Sequence, residues 1–169
     1  MSIAFFLAVT PVVGAQADEA LSEEDKAKAD EARGRPAAEN EEALVKAAKG
    51  GRTVEVRVLL AAGTDPDAMV YGTTALFCAA EKGREEAVGA LAEGGADLNK
   101  ANEDGATPLM FAAVDGRTGA VRRLLELGAD HTAVGTAGSY EGNTALEVAG
   151  LAGRAEAAAV LREWAAAHT

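Results

Sequence analysis

Carboxylates stand side by side at Glu85-Glu86 and Glu103-Asp104, the one cysteine is Cys78, and the two histidines are His131 and His168. Paired carboxylates suit general acid-base work, a thiolate suits nucleophilic attack, and imidazoles suit proton transfer or metal ligation. None of these groups is spaced for such work. Neighbours in sequence do not face each other on a helix, and at a loop tip they are solvated charge. The chain carries no Gly-x-Ser-x-Gly, no His-Glu-x-x-His and no Gly-rich phosphate loop. A reactive Cys78 needs an electropositive, exposed setting, which "ALFCAAEKG" does not supply. His131, in "GADHTA", reads as a turn residue. A structural zinc site takes four Cys or His ligands, and Cys78, His131 and His168 are scattered. The expectation is a protein with no catalytic residues, no cofactor and no metal.

Composition points to contact chemistry instead. The 169 residues are 49% hydrophobic but only 4% aromatic, so the core is built from small side chains and helices that approach closely. The net charge is -11. Such a surface is repelled by phosphate backbones and anionic lipid, which argues against nucleic acid as a partner. With a single cysteine there is no intramolecular disulfide.

Two segments precede the regular part of the chain. "MSIAFFLAVTPVVGAQA", residues 1–17, has an apolar run of h-region length and a small-x-small ending at Ala15-Gln16-Ala17, the form of a cleaved signal peptide. Nothing basic lies between Met1 and Phe5, so the usual positive n-region is missing. At about 1.5 Å per residue the run is too short to span a bilayer core of roughly 30 Å, so no stable membrane insertion follows processing. The expected location is the periplasm; without a working signal it is the cytoplasm, and the bland alternative is a helix packed on the domain. Residues 18–39 carry eight acidic and four basic side chains. "SEEDKAKADEARG" has a capping Ser22 and a closing Gly34, but its only apolar residues are alanines. With no face worth burying it reads as an acidic linker or frayed helix, or as an acidic arm for a basic partner.

From residue 40 to 169 the sequence repeats. "TTALFCAAEKG", "ATPLMFAAVDG" and "NTALEVAGLAG" are versions of one stretch. The glycines Gly51, Gly83, Gly116 and Gly153 recur at intervals of 32, 33 and 37 residues, a solenoid period. Ala47-Ala48, Ala79-Ala80 and Ala112-Ala113 precede three of them at one offset, and Leu59, Leu91, Leu124 and Leu161 follow all four. Thr107-Pro108 supplies a capping hydroxyl and a first-turn proline. The glycines end one helix in the left-handed conformation before the next begins. Val56, Leu59 and Leu60, like Val121, Leu124 and Leu125, give the second helix its apolar stripe.

The pattern resembles the ankyrin repeat from about Asn40 to Ala167, with "GATPLMFAAVDGRTGAVRRLLELGAD" the closest unit. The resemblance implies an all-α repeat solenoid of four repeats, at about 40–69, 70–102, 103–139 and 140–169, with modified end repeats. Arg162, in place of the second outer leucine, fits a terminal cap. The family's histidine after "TPL" is replaced by Phe77, Met110 and Glu147, which implies loss of its hydrogen bonds and a less stable array. Cys78 and Phe111 share a position that reads as filling between inner helices.

The resemblance further implies a non-catalytic protein-binding module that engages a protein partner through hairpin tips and the concave inner-helix face. The tips are Met69-Val70-Tyr71, Asn102-Glu103-Asp104 and Tyr140-Glu141. Met69, Val70 and Tyr71 are apolar where a scaffold has no need of them, the alternative being that they pack on the neighbouring tip. Tyr140 lies in a longer loop, "VGTAGSYEGN", whose glycines suggest mobility. Arg52, Arg84, Arg117 and Arg154 each follow a turn glycine, so stacking sets them in a basic row opposite the acidic tips. That row either orients a partner or makes exposed ion pairs of little consequence, for instance with Glu85. A monomer is expected. The alternative function is an inhibitor or immunity-type protein that neutralises a basic toxin or enzyme.

Overall fold

The computed structural model describes residues 21–169; the segment read as a signal peptide lies outside them. The elements are α1 (Glu23–Arg33), α2 (Ala37–Gly50), α3 (Thr53–Ala61), α4 (Ala75–Glu81), α5 (Glu85–Glu93), α6 (Pro108–Val114), α7 (Thr118–Glu126), α8 (Ala145–Leu151) and α9 (Ala155–Ala167). A 3-10 turn, Gly138–Tyr140, precedes α8. Among the described residues the only bridges are isolated ones, Val70 with Thr73 and Gly135 with Glu141. None of the described helices is long and apolar enough to cross a membrane.

The helices form two layers. Inner helices α2, α4, α6 and α8 stack in order, and outer helices α1, α3, α5, α7 and α9 stack behind them. Composition dictates the close approach: the alanine pairs at 47–48, 79–80 and 112–113 are all 0% exposed. The leucines Leu59, Leu91, Leu124 and Leu161 are buried between the layers. Thr74, Thr107 and Thr144 cap α4, α6 and α8 by accepting from the amides of Phe77, Met110 and Glu147. The fold is the all-α repeat solenoid that the repeats imply.

Segment 18–39 departs from expectation. α1 is a capped helix, with Ser22 Oγ accepting from the Asp25 amide at 3.2 Å. It has a buried face, because Ala29 and Ala32 are 1% and 2% exposed where α1 lies against α3. Alanine buries little area but lets two helices approach closely. Asn40 Nδ2 donates to the Ala32 carbonyl at 2.7 Å, and Arg33 donates to the Ala61 carbonyl at 2.8 Å, tying the end of α1 to α2 and α3. α1 is thus the outer half of a unit that precedes α2. Its charges are matched locally, by Lys26 with Glu23, Lys28 with Glu24 and Asp25, and Arg33 with Asp30 within the helix, and by Arg35 just beyond it with Glu31.

The replaced histidine also has a different outcome. Glu147 Oε2 accepts from the Thr144 amide at 2.7 Å and from its hydroxyl at 2.9 Å, so a capping box supplies the bonds in the last unit. These bonds hold the Glu147 carboxyl below its usual pKa. Phe77 and Met110 are buried instead. At the end of the array Arg162 is exposed, as a cap requires, but the inner layer ends on Leu151, which is 79% exposed.

Candidate partner-binding tips

The first hairpin is the tightest. Val70 and Thr73 exchange both backbone hydrogen bonds, at 2.9 and 3.2 Å, around a two-residue turn. Both turn residues have positive φ, Tyr71 at 51° and Gly72 at 77°, as a type I′ turn demands. Tyr71 is the only non-glycine residue with positive φ among those described. A left-handed L-residue costs roughly 1–2 kcal/mol, and asparagine, aspartate or glycine usually stands there. The tyrosine gains no packing in return: it is 85% exposed, with Met69 at 42% beside it. Val70 is half-buried. The alternative of packing on the neighbouring tip therefore does not apply to Tyr71.

The second tip is linked to the first. The Glu103 amide donates to the Gly72 carbonyl at 3.2 Å. The Glu103 side chain lies over Gly72, where a methyl group would come within 2.5 Å of its Oε2. A side chain at Gly72 would displace that carboxylate. Glu103 and Asp104 are exposed. Asn102 is taken up by the fold, its Oδ1 accepting from the amides of Asp104 and Ala106 at 3.1 and 3.0 Å.

The third tip is built differently, with its glycine-rich loop closed by backbone hydrogen bonds. The Gly135 amide donates to Asn143, that of Gly142 to Gly135, and that of Thr136 to Gly105 on the second tip. Tyr140 is half-buried, its ring 5.6 Å from Phe111, which is itself 4.6 Å from Phe77. Burial first, and then the charges of Asp115 and Asp104, push its phenol above the ordinary range. Glu141 is exposed. Phe111, read as filling between inner helices, packs on Phe77 of the neighbouring inner helix and is half-buried in this aromatic row.

The arginine row has a main-chain role that its sequence position did not reveal. Arg84 Nε donates to the Lys49 carbonyl at 3.3 Å, Arg117 Nε to Glu81 at 3.1 Å, and Arg154 Nε to Val114 at 2.7 Å. Each carbonyl lies two residues before a turn glycine, in the last turn of the preceding inner helix. Such carbonyls lack intrahelical partners and carry the negative end of the helix dipole, so a guanidinium stabilises them. The turn glycine serves twice here. Gly83 has φ 67°, and a methyl on it would approach Arg117 Cδ to 3.2 Å. Arg52 has no inner helix before α2 among the described residues to supply such a carbonyl, and pairs with Glu55 at 3.1 Å. Carbonyl bonds thus stand where carboxylate pairing was one expectation for Arg84, Arg117 and Arg154, and Arg52 keeps the ion pair.

Other residues singled out for chemistry are not brought together. Cys78 is buried, and burial pushes its thiol up. His168 stacks on Trp164 at 4.0 Å between centroids. Among the described residues no group of three or more His, Cys, Asp or Glu side chains converges. An open cleft of about 430 Å³ lies between α1 and α3, lined by Val54, Val58, Arg52 and Asp25 among others, and holds none of the tip residues.

A model of ankyrin repeats in three copies matches residues 17–102 and again 94–168. The first match begins ahead of α1, in line with its place in the outer layer. A search of curated proteins found no match.

Proposed function

This chain belongs to the ankyrin-repeat family, whose repeats generally serve as protein-protein interaction modules, and we propose that it is a non-catalytic monomer that binds a protein partner on its hairpin tips and the adjoining inner-helix face. The observation that carries this reading is Tyr71. It is a large aromatic side chain held in a left-handed turn, 85% exposed, with exposed Met69 next to it. Backbone strain without compensating packing motivates a functional reading. Aromatic residues and methionine are enriched at the cores of interfaces. Tyr140 and Asn102 support the surface from within, whereas Glu103, Asp104 and Glu141 present charge along it. The arginine row serves the inter-repeat junctions on this reading.

The apolar character of residues 1–17 supports export to the periplasm, so the exported fraction is where the partner is sought. The test is capture from that fraction by wild-type protein and by a variant with Met69, Val70 and Tyr71 changed to serine. The expected result is a partner retained by the wild type and lost by the variant at unchanged helicity. Equal capture by both would remove the first tip from the binding surface.

A further inference from the structure

We propose that the first tip seats a cationic segment, with an arginine or lysine side chain of the partner laid on the Tyr71 ring beside the Glu103 carboxylate. The inference rests on the reading of the tips as the binding surface and adds the chemistry of what binds there. Three observations converge on it. The Tyr71 ring is solvated at 85% exposure, and an aromatic face attracts cations through its quadrupole. Gly72 lacks the side chain that would push Glu103 away, so a carboxylate is held against the residue next to that ring. Met69, 42% exposed, offers an apolar surface of the kind that the methylene stem of arginine or lysine covers.

The surrounding charge favours the same sign. Glu103 and Asp104 make no ion pair among the described residues, whereas the carboxylates Glu23, Glu24, Asp25, Asp30 and Glu31 of α1 are matched by cations of the same segment. Lys46, a cation of α2, is already engaged by Glu42 at 2.8 Å. With a net charge of -11, the long-range field of the protein draws in cations and repels anions.

A display library of random short peptides, selected on the full chain and counted in parallel on Tyr71→Asn and Glu103→Gln, tests this. Asparagine accepts the left-handed turn, and glutamine keeps the shape of the glutamate, so both variants retain the fold; circular dichroism verifies that. The expected result is a set of Tyr71-dependent peptides enriched in arginine and lysine. A synthetic member should bind about fivefold more weakly to Glu103→Gln, lose affinity when its arginines become citrulline, and weaken as salt rises. Tyr71-dependent peptides without basic enrichment would overturn the cationic seat and leave the tip reading standing. If no enriched peptide depends on Tyr71, both readings fall.

Discussion

Two tyrosines sit at two hairpin tips of this molecule, and the fold uses only one of them. Tyr140 turns its ring onto Phe111, fixes a ten-residue loop to the inner helices and has its phenol pushed up by burial. Tyr71 stands 85% exposed on a left-handed backbone that disfavours it. Residue type and tip location are shared, so neither explains the difference. What separates them is whether an apolar neighbour lies within reach. At the third tip the aromatic row of Phe77 and Phe111 runs up to the loop, whereas Tyr71 faces solvent beside Met69. A tyrosine that stabilises the fold needs no partner to explain it. One that strains its own turn and packs on nothing is what the proposed partner surface accounts for.

The largest expected effect falls on the buried side of that contrast. Tyr140→Ala should destabilise the protein by about 2 kcal/mol in urea unfolding, because it removes a half-buried aromatic side chain and unpins the loop. A cost below about 0.5 kcal/mol would break the comparison by making both tyrosines dispensable to folding. Next come the arginines, which offer the same contrast in another form. Arg154→Ala should cost about 1 kcal/mol through the lost bond to the Val114 carbonyl, while Arg52→Ala, removing only an exposed ion pair, should fall within about 0.5 kcal/mol of wild type. Equal costs would mean that the junction bonds are unimportant.

The smallest effect belongs to the capping box. The Glu147 carboxyl is held below its usual pKa by the Thr144 amide and hydroxyl. The folded state therefore binds fewer protons than the unfolded state through that range. Its stabilising contribution is present above the unfolded pKa and is lost as pH falls through the folded one. Glu147→Ala should lower the melting temperature at neutral pH and change it little in strong acid. A pH-independent decrease would assign the effect to something other than the ionised cap.

The repeat architecture was legible because it rests on short-range rules. A glycine that must be left-handed, an alanine pair that must be small and a leucine at helical spacing are each visible in sequence, and they recur. What was missed depends on neighbours distant in the chain. The burial of α1 is not legible in sequence because Ala29 and Ala32 carry almost no hydrophobic signal, and only contact with α3 makes them a face. The arginines were visible as a row, but their partners are backbone carbonyls 35 to 40 residues away, which no residue type announces. The glycines of the third loop suggest mobility in sequence, whereas the packing of Tyr140 on Phe111 depends on how the repeats stack. Met69, Val70 and Tyr71 stand out in sequence by apolar type and tip position together. Sequence placed them at a tip, but the left-handed turn and the exposure that distinguish Tyr71 from Val70 are three-dimensional facts.

The claim on which the account rests is that Tyr71 is kept at the first tip for something other than folding. Chemical unfolding of Tyr71→Asn against wild type tests it without knowledge of the partner. The account predicts equal or greater stability, by up to about 1 kcal/mol, since asparagine relieves the strained turn and no packing is lost. A loss approaching that of Tyr140→Ala would contradict it, because the ring would then be a structural element.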